Sequence, residues 1–122
     1  MNKKLNKIVI YEGCIGSWYL IKLQGKFVVR NLTLIRKFFE KAEKKKIPDV
    51  AIDMGEVIQI DSSAITILIN FQRRIIQKDG RLVLFSLRPD IAEIFSIVGI
   101  EKMFRICKSK EMFEKAYVQQ NS

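Results

Sequence analysis

Two short runs limit the folds open to this chain: Asp49–Met54 (Asp-Val-Ala-Ile-Asp-Met) and Arg81–Leu87 (Arg-Leu-Val-Leu-Phe-Ser-Leu). Both are nearly all apolar and too short for buried helices. A strand covered on both faces reads this way, and such strands lie inside parallel sheets. Between them, residues 65–76 repeat apolar side chains at helical spacing. Two parallel strands need a crossover of this kind, and right-handed crossovers are expected.

The flanking segments extend the pattern. Lys7–Glu12 and Ser17–Leu23 read as strands because Ile8, Val9, Ile10, Tyr11, Trp18, Tyr19 and Ile21 favour extended backbone. Gly13 and Gly16 bracket their connection as a hairpin turn requires. Gly25 is expected to end the second strand, with Phe27–Val29 as a short extended piece. Asn31 or Thr33 can cap a helix reaching about Lys46, with Ile35, Phe38, Phe39 and Ala42 on one face and Pro48 as its stop. In the helix after Asp61, Ile65, Leu68, Ile69 and Ile76 are expected to face the core, and Asp79-Gly80 closes it. Pro89 suits a helix first turn, followed by Ile91, Ile94, Phe95 and Val98 and a Gly99 stop. Met103–Ile106 reads as a short edge strand. Ser109 caps a last helix carrying Phe113, Ala116 and Tyr117, before a frayed tail, Val118–Ser122. The order β-β-α-β-α-β-α-β-α predicts an α/β fold: a mixed, mostly parallel sheet of about four to five strands with helices packed on it. A single domain is expected over residues 1–122, its core spanning about 8–117.

Composition excludes several functions. The 122 residues contain no histidine, which removes Ser-His-Asp and Cys-His nucleophilic sites and the commonest zinc ligand. There is no phosphate-binding loop, dinucleotide fingerprint or nucleophile elbow. Gly13-Cys14-Ile15-Gly16 lacks the lysine and helix of a phosphate loop and reads as a turn. Asp53 and Asp61 are the candidate carboxylates for acid–base work, and each has a structural use, Asp53 ending its strand and Asp61 capping its helix. An enzyme is therefore not expected, nor a metal or cofactor. Cys14 and Cys107 are expected to be reduced thiols in a cytoplasmic protein. No apolar run approaches the roughly 20 residues of a membrane helix. Lys3, Lys4 and Lys7 precede no signal-peptide core.

Charge is lopsided. Residues 1–48 carry 12 Lys/Arg against 3 Asp/Glu, whereas residues 49–122 carry 10 of each. The basic part could attract nucleic acid, anionic lipid or an acidic protein. Nucleic acid is not expected, because no aromatic residues interleave with the lysines and no binding motif is present.

The candidate site is Asp61-Ser62-Ser63-Ala64, where the strand hands over to the helix. The first N–H groups of a helix lack intrahelical partners, so Asp or Ser is favoured there as a cap. A phosphate on a serine at this point would also meet the positive end of the helix dipole. Ser62, Thr66, Asn70 and Arg73 follow at helical spacing as a polar stripe. Ile67 and Phe71 lie beside it, surplus to the expected core face, and complete a candidate docking surface.

Several stretches together resemble the STAS domain of bacterial anti-sigma factor antagonists. They are Leu23-Gln24-Gly25-Lys26, Val50-Ala51-Ile52-Asp53-Met54, Ile60-Asp61-Ser62-Ser63-Ala64-Ile65 with Leu68, Lys78-Asp79-Gly80-Arg81-Leu82-Val83-Leu84, and Ile97-Val98-Gly99-Ile100. The resemblance implies a binding module rather than an enzyme. Its partner would be an ATP-binding anti-sigma factor that is also a serine kinase, and phosphorylation of Ser62 would end binding until a serine phosphatase reversed it. Ala64 departs from the family's usual glycine. The alternatives are a STAS subunit of a lipid-transport or stress-signalling complex, in which Ser62 is structural only, a small nucleotide-binding protein, and a basic nucleic-acid binder.

Overall fold

The computed structural model describes residues 7–46 and 48–119. Five strands form one sheet in the order β1-β2-β3-β4-β5. β1 (Ile8–Ile15) and β2 (Trp18–Phe27) are antiparallel, and the pairs β2/β3, β3/β4 and β4/β5 are parallel. β3 spans Asp49–Ile60, β4 Arg81–Phe85 and β5 Arg105–Cys107. The helices are α1 (Leu32–Glu43), α2 (Ser62–Gln77), α3 (Pro89–Val98) and α4 (Lys110–Phe113), the last continuing as a π-turn over Glu114–Val118. The mixed, mostly parallel α/β sheet expected from the sequence is present.

Three strands are longer than the local pattern suggests. β1 runs on to Ile15, so the hairpin turn is only Gly16-Ser17, with Gly16 at φ +59°. Glycine takes that conformation without steric cost. Gly25 does not end β2. It sits inside the strand at φ +120°, paired with Ile8 on one side and Val57 on the other. A Cβ there would lie 2.6 Å from the Lys7 carbonyl oxygen, so only glycine fits. β3 continues past Met54 to Ile60 beside the far end of β2, across register shifts at Lys22/Gln24 and Gly25/Lys26. Residues 55–60, between the expected strand Asp49–Met54 and Asp61, are therefore strand as well.

Successive strand residues point to opposite faces. Tyr19, Ile21, Leu23, Val50, Ile52, Met54, Leu82 and Leu84 form the main core with α1, α2 and α3. Trp18, Ala51, Val83 and Phe85 point the other way and are covered by Phe113, with Tyr117 packed alongside. One ion pair is half-buried at the start of the parallel strands. Asp49 accepts from Arg81 Nη2 at 2.9 Å and Nε at 3.2 Å, and the guanidinium lies 4.6 Å from the Trp18 ring. The Asp49 carboxylate holds the Arg81 pKa above its ordinary value.

Helix faces deviate in two places. Ile76, expected in the core, is 58% exposed, and Val98, the last member of the helical repeat after Pro89, is 53% exposed. On α2 the buried neighbour is Ile75. α1 stops at Glu43 rather than Lys46, leaving Lys44–Lys46 beyond the helix end. Cys14 and Cys107 are free thiols. Of the tail expected to fray from Val118, Val118 itself closes the π-turn and packs on the second cluster; residues 1–6 and 120–122 lie outside the described residues.

Candidate functional site

β3 ends at Ile60, and Asp61 turns the chain with extended backbone (φ −120°, ψ 177°) into α2. Its carboxylate is used twice. Oδ1 accepts from the Ala64 N–H at 2.9 Å, closing the first turn of α2 as an N-cap. Oδ2 accepts from the Val29 N–H, also at 2.9 Å. Val29 opens a 3₁₀ turn, Val29–Asn31, between β2 and α1. Asp61 therefore fastens the connection after β2 to the start of α2. No local sequence signal marks this bond, because its partners are separated by 32 residues.

With Asp61 as the cap, Ser62 is released from that duty. It is the first residue of α2, it is exposed, and its hydroxyl has no hydrogen-bond partner among the described residues. Ser63 is half-buried. Ala64 is fully buried, its methyl packed against the main core. The polar stripe is on the surface: Ser62, Thr66 and Arg73 are exposed and Asn70 is half-buried. Thr66 Oγ1 donates to the Ser62 carbonyl oxygen at 3.0 Å, a back-bond typical of hydroxyls on helices.

The docking surface expected at Ile67 and Phe71 is not there. Phe71 is fully buried, and its ring stacks on Phe39 of α1 with centroids 4.0 Å apart and planes 9° apart. Ile67 is 8% exposed and belongs to the same core. The reason is that α2 buries two faces. Ile65 and Leu68 belong to the apolar stripe already expected of it, Ala64 and Ile75 widen that stripe, and Phe71 meets α1. A helix lying against a sheet and a neighbouring helix needs a wider apolar stripe than one lying on a sheet alone.

An exposed apolar residue at the site was missed instead. Val29 is 63% exposed, and its own N–H is held by Asp61, so it stands beside the start of α2. Between α1 and α2 lies a groove of about 470 Å³ lined by Arg36, Glu40, Glu43, Asn70 and Arg74 over Phe39 and Ile67. Arg74 is paired with Glu43 across it. The second candidate carboxylate, Asp53, accepts from the Gly55 N–H at 2.9 Å, a local backbone role. Among the described residues no group of three or more His, Cys, Asp or Glu side chains could hold a metal ion. No helix among them is long and apolar enough to cross a membrane.

A mixed five-stranded sheet with an exposed serine at the head of the helix after its third strand defines a small α/β domain. Residues 7–113 match the STAS domain, and the chain belongs to that family. Over 78 residues it is 28% identical to BtrV of Bordetella bronchiseptica, named as an anti-sigma factor antagonist; the match spans 64% of each protein. The fold resembles that of an anti-sigma-factor antagonist (STAS) domain protein from Planctomyces limnophilus, with TM-score 0.77 and 20% identity over 93% of this chain and 98% of that one. It also resembles the anti-sigma factor antagonist SpoIIAA in its unphosphorylated form, with TM-score 0.71 and 15% identity over 88% of this chain and 96% of that one. The Bacillus SpoIIAA in its phosphorylated form gives TM-score 0.68 at 15% identity, over 88% of this chain and 99% of that one.

Proposed function

We propose that this chain is an anti-sigma factor antagonist whose binding is switched by phosphorylation of Ser62. The observation that carries the reading is the division of labour between neighbours: Asp61 caps α2, and Ser62 presents an exposed hydroxyl that the fold does not use. Its family membership, its likeness to BtrV and the existence of SpoIIAA in both phosphorylation states support the same reading. In this reading the unmodified protein binds an anti-sigma factor that is also an ATP-dependent serine kinase, and so frees a sigma factor. The protein is a substrate and competitor in the cytoplasm, not an enzyme; nucleotide belongs to the kinase, and a serine phosphatase restores binding.

Electrostatics explains why one phosphate suffices. The helix N-terminus favours an anion, but Asp61 already occupies it. Phosphate adds about −1.5 to −2 charges beside that carboxylate and would have to be paired or desolvated at any interface formed there. The contact surface we assign is the polar stripe of exposed Ser62, Thr66 and Arg73 with half-buried Asn70, together with Val29; Ser63 and Ala64 support it from beneath.

The test is intact mass of the protein isolated from its native cells, with and without phosphatase, followed by peptide mapping. A phosphatase-sensitive phosphate on Ser62, and capture of a kinase-type anti-sigma factor only by the unmodified form, is the expected result. Phosphate confined to Ser63 or Thr66, or equal capture by both forms, overturns the proposal.

A further inference from the structure

The outer edge of β1 is a second feature of the molecule, separate from Ser62. We infer that it binds an extended, acidic segment of another protein, which adds to the sheet as a sixth strand. Among the described residues β1 pairs only with β2. In an antiparallel pair, alternate residues of an edge strand turn both N–H and C=O away from the partner, leaving a template for another chain. Exposed edges are usually blunted by lysine, proline, a bulge or brevity. β1 has none of these. It is eight residues long, reads Ile-Val-Ile-Tyr-Glu-Gly-Cys-Ile, and keeps unbroken register with β2.

A groove runs beside this edge, between β1 and α1. It has a volume of about 440 Å³ and is lined by Ile10, Glu12, Lys37, Phe38 and Lys41. Ile10 and Phe38 give it an apolar floor, and the lysines stand over it. On the opposite face of the strand Val9 and Tyr11 are 45% and 52% exposed. An added strand would thus find hydrogen-bonding groups along its backbone and distinct surfaces for its alternate side chains, the two elements of recognition by strand addition.

Charge selects the occupant. Glu12, the one acid in the groove, is already satisfied: Oε1 pairs with Lys41 Nζ at 2.5 Å and Oε2 accepts from the Tyr19 hydroxyl at 2.8 Å. Lys37 has no ion-pair partner among the described residues. Beyond it, Lys45 lies 4.8 Å from the Tyr19 ring, while Lys22, 5.8 Å from the Tyr11 ring on the opposite face, is already paired with Glu56 at 2.6 Å. Acidic side chains on an incoming strand meet this field favourably. A second copy of the chain would bring two such basic edges together, at the cost of like-charge repulsion. Lys37 and Lys45, two members of the basic excess in residues 1–48, thereby acquire a use.

The experiment titrates the 15N-labelled full chain with a blocked peptide of alternating Val and Glu, matched in length to β1. The expected result is amide shifts and slowed hydrogen exchange concentrated in Ile8–Ile15, with affinity about tenfold lower for Lys37→Glu/Lys41→Glu and falling with salt. Lys37→Glu alone, at an exposed position outside the Glu12 pair, should weaken binding in the same direction in protein with an unchanged denaturant midpoint. Peptides with Lys for Glu, or with alternate backbone nitrogens methylated, should not bind. Equal binding of either control, shifts centred elsewhere, or no shift at millimolar peptide overturns the inference. So does concentration-dependent dimerisation through β1 without peptide, which would assign the edge to a second copy.

Discussion

The Asp61 carboxylate holds the N–H of Ala64 with one oxygen and the N–H of Val29 with the other, each at 2.9 Å. One side chain therefore caps α2 and ties down the turn that precedes α1. Asp61→Ala should cost about 1 to 2 kcal/mol, the upper range for a lost N-cap. Asp61→Asn keeps one acceptor oxygen and should recover most of that loss. The check is urea unfolding of both variants, with amide exchange at Val29 read separately. Val29 protection should fall in Asp61→Asn even where global stability returns.

Because Asp61 is the cap, Ser62→Ala should be nearly silent for folding, within about 0.5 kcal/mol as expected of a surface change. Ser62→Asp should also fold, since an acid in the first helical turn is tolerated. Partner capture should separate them: Ser62→Ala binds and is never released by phosphorylation, and Ser62→Asp binds weakly. A folded Ser62→Asp protein with undiminished affinity would remove charge from the switching mechanism.

Truncating Phe71 should behave as a core deletion. Phe71→Ala is expected to cost about 3 to 5 kcal/mol and Ile67→Ala about 2 to 5 kcal/mol, measured by denaturant midpoints. Phe39→Ala should cost a similar amount, and the double variant should lose less than the sum, because each ring is the other's stacking partner at 4.0 Å.

Glu12 and Tyr19 tie stability to pH at opposite ends. The hydrogen bond from Lys41 and then that from Tyr19 lower the Glu12 pKa below its ordinary value of 4.5. A depressed carboxylate pKa stabilises the fold above the unfolded value, and that stabilisation is lost as pH falls through the folded one. Burial, followed by the hydrogen bond to Glu12, raises the Tyr19 pKa above its ordinary value of 10.0. Its contribution is complete below that value and is lost as pH rises through the folded pKa. Glu12→Gln should flatten the acid limb of the stability curve. In Tyr19→Phe the latest-titrating part of the tyrosinate absorbance should disappear.

Much of this protein is legible in its sequence because the determinants are local. The apolar runs at Asp49–Met54 and Arg81–Leu87 read as interior strands, the second ending at Phe85 rather than Leu87, and Asp61 before an apolar-periodic segment reads as a helix start. Ser62 at the head of α2 follows from these alone. The rest depended on neighbours that no window of sequence contains. Helical spacing marked the faces of α2 but not how many surfaces surround it, so Phe71 looked superfluous until α1 placed Phe39 against it. Gly25 has the composition of a stop, yet pairing with both β1 and β3 carries β2 through it. The bond from Val29 to Asp61 joins two segments that meet only when β2 and β3 lie side by side. Local propensity set where each element begins, and long-range packing decided which side chains it hides and which, like Ser62, it leaves free.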